Sequence, residues 1–223
     1  MTKVFIGVGH GGQDSGAVGK GGLLEKNLNL SIAKACGAEL ERHGVTVRLS
    51  RTKDEADPVD QEVAESNSFA PEVAIAIHNN AGGGDGAEVF YSHTGGKGKQ
   101  LAENILAYIT QLGQKSRGAK TRTTASGADY YAFIRQKAPA VIVECAFVDS
   151  ADIDLVDTEA ERVKVGQAIA HGVLKTLGVT PKNEPTTGST LYRVQVGAYR
   201  SKANAEAQKK RLQAAGFDAV ITT

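Results

Sequence analysis

Val4-Phe5-Ile6-Gly7-Val8-Gly9-His10-Gly11-Gly12-Gln13-Asp14-Ser15-Gly16-Ala17-Val18-Gly19-Lys20-Gly21-Gly22-Leu23-Leu24-Glu25 decides the fold. Its first part is an apolar, β-branched run of the length of a buried strand, and a Gly-rich loop follows. Glu25 then opens a helix in which Leu28, Ile32, Ala35, Cys36 and Leu40 recur at helical spacing, and Gly44 stands at the C-cap. The same grammar continues downstream. Val45–Leu49, Val73–Ile77, 86–91 and Ala140–Glu144 read as strands, while 59–69, 98–113 and 159–177 read as helices, the last stopped by Gly178. Strands alternating with helices predict an α/β fold, a mostly parallel sheet flanked by helices on both faces.

The composition is that of an ordinary globular protein. With 223 residues, 41% of them hydrophobic, the chain can bury one substantial core and a small appendage. A net charge of +1 gives no general argument for nucleic acid or membrane binding, and neither is expected as a partner. The charge is uneven, however: residues 1–179 carry 19 basic and 22 acidic side chains, residues 191–223 carry 6 and 2. Cys36 and Cys145 match no paired metal or redox spacing and read as buried thiols. The short apolar run from Val4 leads straight into His10, so it reads as a core strand rather than a signal peptide, and no run approaches the length of a membrane span.

Residues 180–190 carry two prolines and no aliphatic side chain, a linker composition. They divide the chain into a larger N-terminal domain, 1–179, and a C-terminal unit, 191–223. In that unit Leu191–Ala198 alternates as a strand, Lys202–Ala215 is helical and Phe217–Ile221 reads as a second strand. A single β-α-β unit of this size cannot bury a core alone, so it needs a partner surface.

His10, His78 and Glu144 each end an apolar strand run, and in open α/β sheets ligands bind at the carboxyl ends of the strands. With Glu25 they have the composition of a mononuclear zinc hydrolase site: two His and one Glu bind the metal with a position left for water, and a second carboxylate moves protons. Glu25 has a blander reading as a favourable anion in the first turn of its helix. Asn80 is placed near the metal, and Arg117 is placed to contact a substrate carboxylate. Asp14 and Asp129 read as solvated loop carboxylates, with a place behind the metal ligands as the alternative, and His43, His93 and His171 as hydrogen-bonded core or surface residues. Gly7-Val8-Gly9-His10-Gly11-Gly12 formally matches a dinucleotide fingerprint, but a long Gly-rich loop, not a helix, follows its last glycine.

The motifs Gly9–Ala17, Glu25, Ser50-Arg51-Thr52, Ile77-His78-Asn79-Asn80-Ala81, Arg117-Gly118-Ala119-Lys120 and Pro139–Glu144 follow one another in an order and spacing that resembles the zinc-dependent N-acetylmuramoyl-L-alanine amidases of the type 3 family. The resemblance spans residues 3–178. It implies zinc ligation by His10, Glu25 and His78, catalysis by Glu144, and cleavage of the amide between N-acetylmuramic acid and L-alanine in peptidoglycan. A lytic role follows, as in a phage endolysin or a mother-cell or autolytic enzyme; the alternative is a catalytically inactive wall-binding protein. Two departures stand out: Ala146 replaces the family's Gly after the catalytic Glu, and Glu62 stands where the family commonly has Arg. Leu191–Tyr199 and Ala214–Ala219 resemble the first half of a sporulation-related (SPOR) peptidoglycan-binding repeat, which implies a half module able to pair with its copy in a homodimer. The expected route is synthesis in the cytoplasm and action on the bacterial wall after release.

Overall fold

A computed structural model of the chain describes residues 2–180, 197–199, 201–214 and 221. The chain separates into two compact units, Met1–Lys182 and Asn183–Thr223. In the first, strands β1 (Lys3–Val8), β2 (Thr46–Leu49), β3 (Val73–Asn80), β4 (Ala87–Tyr91), β5 (Ser116–Lys120) and β6 (Ala140–Phe147) form one sheet in the order β2-β1-β3-β6-β4-β5. Helices α1 (Glu25–Arg42), α2 (Val59–Phe69), α3 (Gly96–Ile109) and α4 (Glu159–Leu177) cover it. All strand pairs are parallel except β4 with β6. The expected α/β architecture with a mostly parallel sheet is therefore what the chain adopts.

Two features go beyond the sequence reading. Ser116–Lys120 forms the edge strand β5, although Ala119 is its one aliphatic residue. Strand β6 extends past Glu144 to Phe147, and β3 past His78 to Asn80. In the second unit α5 spans Lys202–Ala214, close to the predicted helix; the two strands read on either side of it fall mostly outside the described residues.

Period-two alternation sorts the strand residues onto two faces. Val4, Ile6, Val8, Ile75, Ile77, Val141 and Val143 join the large core beneath α1, α3 and α4, where Cys36 and Cys145 are also buried as free thiols. The opposite face carries Phe5, Ala74, Ala76 and Ile142, capped by Phe133 and Ile134 and flanked by Val63 and Phe69 of α2. His78 and Glu144 continue that second series, so they emerge on the thinner layer.

The chain leaves β1 through α1 to β2 on one side and returns through α2 to β3 on the other, with α1 and α2 on opposite faces. A crevice opens where strand order reverses, at the carboxyl ends of β1 and β3. His10 follows the first of these strands and His78 ends the second.

Candidate active site

Arg51 fixes the frame of this crevice. Its side chain is fully buried, and the guanidinium donates to the carbonyls of Val8 (3.1 Å), Gly9 (3.2 Å), Lys26 (2.7 Å) and Lys53 (3.1 Å). A planar five-donor group suits this task, because it ties the end of β1, the first turn of α1 and its own loop in one arrangement. Asn29 adds a second tie: its amide donates to the Gly9 carbonyl (3.0 Å) and to Glu25 Oε1 (3.2 Å), and its oxygen accepts from Asn79 (2.9 Å).

Within this frame His10 adopts φ +65°, a left-handed backbone that costs a non-glycine residue roughly 1–2 kcal/mol. Gly9 and Gly16 leave room for the rings: a Cβ on Gly9 would lie 2.2 Å from the His78 ring, and one on Gly16 would lie 2.5 Å from Glu25 Oε2. His10 Nδ1 meets Asp14 Oδ2 at 2.8 Å, while Nε2 faces Glu25 Oε2 at 3.1 Å. Asp14 is thus a partner of His10 that fixes which ring nitrogen faces inward, not a merely solvated loop carboxylate; the helix-like spacing of four residues was the available signal. On the other side His78 Nδ1 lies 3.2 Å from Glu25 Oε1.

Glu25, the first residue of α1 and 3% exposed, is the hub. Its oxygens also accept from the backbone of Ala17 (2.9 Å) and Asn79 (3.0 Å). Burial pushes the carboxyl up, but the hydrogen bonds of His10 and His78 outweigh it and hold it well below the carboxylate range. Reciprocally, the hydrogen bond to Glu25 raises His10 to about 9, against the opposing pull of burial. The donor atoms of His10, Glu25 and His78 all lie within 4.8 Å of one another. Two imidazole nitrogens and one carboxylate, with Asp14 behind one imidazole, are the donor set of a catalytic zinc site, and they fit that ion.

Glu144 stands apart from this cluster. It pairs in register with His78 across β3 and β6, and its Oε2 is buried with no hydrogen-bond partner. Burial pushes its carboxyl up to about 7, partly offset by His78 and reinforced by the charges of Glu25 and Glu88. His43, His93 and His171 lie elsewhere, engaged with Glu39 or Asp129.

Residues 4–175 match the family model for N-acetylmuramoyl-L-alanine amidase. The chain belongs to the N-acetylmuramoyl-L-alanine amidase family. Residues 173–223 match the SPOR domain. The sporulation-specific N-acetylmuramoyl-L-alanine amidase of Bacillus subtilis is 33% identical over 228 residues, covering 99% of this chain and 84% of that protein. An endolysin of Bacillus phage SPP1 is 31% identical over 210 residues, covering 85% and 75%. The catalytic domain of the N-acetylmuramoyl-L-alanine amidase CwlV from Bacillus (Paenibacillus) polymyxa superposes with a TM-score of 0.73 at 28% identity, covering 81% of this chain and 100% of that one. The protein is accordingly a peptidoglycan hydrolase that cleaves the amide between N-acetylmuramic acid and L-alanine. Zinc dependence is general in the amidase family.

In this amidase the remaining two residues singled out from sequence converge on a third that was not. Asn80 Nδ2 (3.1 Å) and Arg117 Nε (2.8 Å) both donate to Glu88. Glu88 is buried in β4, where a lone charged residue between Ala87 and Val89 was the signal available in the sequence. The other loop carboxylate, Asp129, is also engaged, accepting from Ser92 (2.7 Å) and the His93 backbone (2.8 Å).

Proposed function

We propose that His10, Glu25 and His78 hold the zinc ion of this amidase and that Glu144 is its proton carrier. The reading is carried by one observation: three converging donors beside the half-buried Glu144, whose Oε2 is buried and unpaired. Zinc held there would polarise the scissile carbonyl and bring the pKa of water toward neutrality. Glu144, poised near 7, can then accept a proton from the attacking water at Oε2 and return it to the departing nitrogen. The C–N bond breaks, hydroxyl adds to the muramoyl carbonyl carbon, and the proton completes the free amine of L-alanine. Asn80 and Arg117 contact the substrate.

Zinc content by mass spectrometry, read beside peptide release from purified peptidoglycan, tests these roles. Glu144→Gln is expected to keep about one zinc per chain while hydrolysis falls about 10²–10⁴-fold. His10→Ala is expected to lose both. Zinc retained in His10→Ala, or full activity in Glu144→Gln, overturns the assignment.

The names of the relatives support a lytic role, as in a phage endolysin or a mother-cell enzyme. The catalytic domain is residues 1–179 and the C-terminal unit, 191–223, attaches the enzyme to peptidoglycan. Two chains pair through that unit, since its β-α-β reading is too short for a core of its own. A protein sedimenting as a monomer at high concentration would rule the pairing out.

A further inference from the structure

One cluster beside the proposed catalytic residues has a design that catalysis alone does not account for. Glu88 on β4 lies directly opposite Glu144 on β6. Side chains at opposed positions of an antiparallel pair stand about 5 Å apart, and like charges placed so repel. The fold surrounds Glu88 with compensation: Oε2 accepts from Arg117 Nε (2.8 Å) and from Lys120 Nζ, and Oε1 accepts from Asn80 (3.1 Å). The cluster carries one net positive charge.

Stability alone is a poor reason for such a network, because well-packed apolar replacements of buried ion pairs are often neutral or stabilising. Its effect here is geometric. Arg117 and Lys120 are 38% and 36% exposed, and each long side chain carries about 2 kcal/mol of rotamer entropy when unrestrained. Anchoring on Glu88 removes that freedom, and the Arg117 guanidinium also rests 5.0 Å from the centre of the Phe147 ring. Among the described residues Arg117 Nη1 and Nη2 make no hydrogen bond, and Lys120 Nζ keeps two of its three donors. Two fixed cations with unspent donors therefore stand at the solvent side of the strand next to Glu144. A carboxylate is a group that such a pair binds with charge-assisted hydrogen bonds.

We propose that Glu88 is a positioning residue that holds Arg117 and Lys120 as a recognition pair for a carboxylate on the peptide half of the substrate. The inference rests on the amidase reading. In an intact muramoyl amide the muramoyl carboxyl is consumed in the scissile bond, so an anion close to that bond comes from the peptide. Arg117 and Lys120 stand on β5, two strands beyond Glu144 with only β4 between, and reach back over β4 to Glu88, so the residue following L-alanine is within their reach.

The test compares two synthetic muramoyl peptides, identical except that the side-chain-bearing residue after L-alanine has a free carboxylate or a carboxamide, with zinc content measured for every protein. Wild type is expected to favour the carboxylate through KM. Lys120→Met is expected to lose about 10-fold more kcat/KM on the carboxylate substrate than on the carboxamide, and Lys120→Arg to restore most of the difference. Glu88→Gln is expected to give the same selective loss, because the cations remain but are no longer held. Equal losses on both substrates, or no discrimination by wild type, overturn the proposal while leaving the amidase reading intact. Zinc-loaded wild type that cleaves neither substrate overturns both.

Discussion

At the residue scale, the site collects carboxylates whose environments push them in opposite directions. Glu25 is held ionised by two imidazoles, whereas Glu144 is pushed toward neutrality by burial. Glu62 on α2 belongs with the second kind. It packs over Gly7, its Oε1 has no partner, and burial, with the nearby charge of Asp57, raises it to about 7. A carboxyl raised from about 4.5 to about 7 binds more protons folded than unfolded between those values, so stability is full below the lower value and is lost as pH rises to the upper. The loss is about 3 kcal/mol. Glu62→Gln should therefore be more stable than wild type in urea at pH 8 and converge with it near pH 5; parallel stability curves would refute this. Glu62 was visible in the sequence only as a departure from the family's usual Arg. That its Oε1 is buried without a partner depends on Gly7, a residue whose missing side chain makes the room.

At the element scale, helix α4 shows how close packing is obtained from poor helix formers. Gly166 and Gly172 sit in its interior, where glycine costs roughly 1 kcal/mol relative to alanine. Each faces a neighbour that leaves no space for a Cβ: one on Gly166 would come within 2.6 Å of the Ile32 carbonyl of α1, and one on Gly172 within 2.5 Å of the Ile105 Cα of α3. Backbone cannot yield as a side-chain tip can. Gly166→Ala should lower stability by about 1–3 kcal/mol despite its better helix propensity, read by thermal or urea unfolding. A gain in stability would mean that α1 and α4 can separate without cost. Elements of this kind were legible because their apolar residues repeat at a helical or two-residue period. Strand β5 was not, since Ser116–Lys120 lies at the sheet edge and is specified by pairing with β4 rather than by its own apolar run. Nor does periodicity give direction, so the antiparallel setting of β4, which brings Glu88 opposite Glu144, had no signature in the chain. The ends of β1, β3 and β6 were legible, and with them His10, His78 and Glu144.

At the scale of the whole molecule, the two compact units, Met1–Lys182 and Asn183–Thr223, divide the work between an amidase match and a SPOR match. Within the first, the proposed ligands and proton carrier are drawn from β1, β3 and β6 and from the start of α1. Those three strands are the adjacent inner members of the sheet, with β2 guarding one side and β4 and β5 the other. Local openings of a domain begin at its margins, and the most deeply paired backbone exchanges its amide hydrogens only on global opening. The amides of Ile6, Ile75, Ile77 and Val143 should accordingly be the slowest to take up deuterium, at the rate set by complete unfolding, while β5 exchanges earlier. Rapid labelling of Ile75 or Val143 in an otherwise protected protein would contradict this. Because the proposed ligands and proton carrier sit on or just past the slowest-opening strands, with Glu25 at the start of α1, fraying at β2 or β5 can come and go with the catalytic geometry still assembled, and inactivation by heat should coincide with the collapse of the domain rather than precede it.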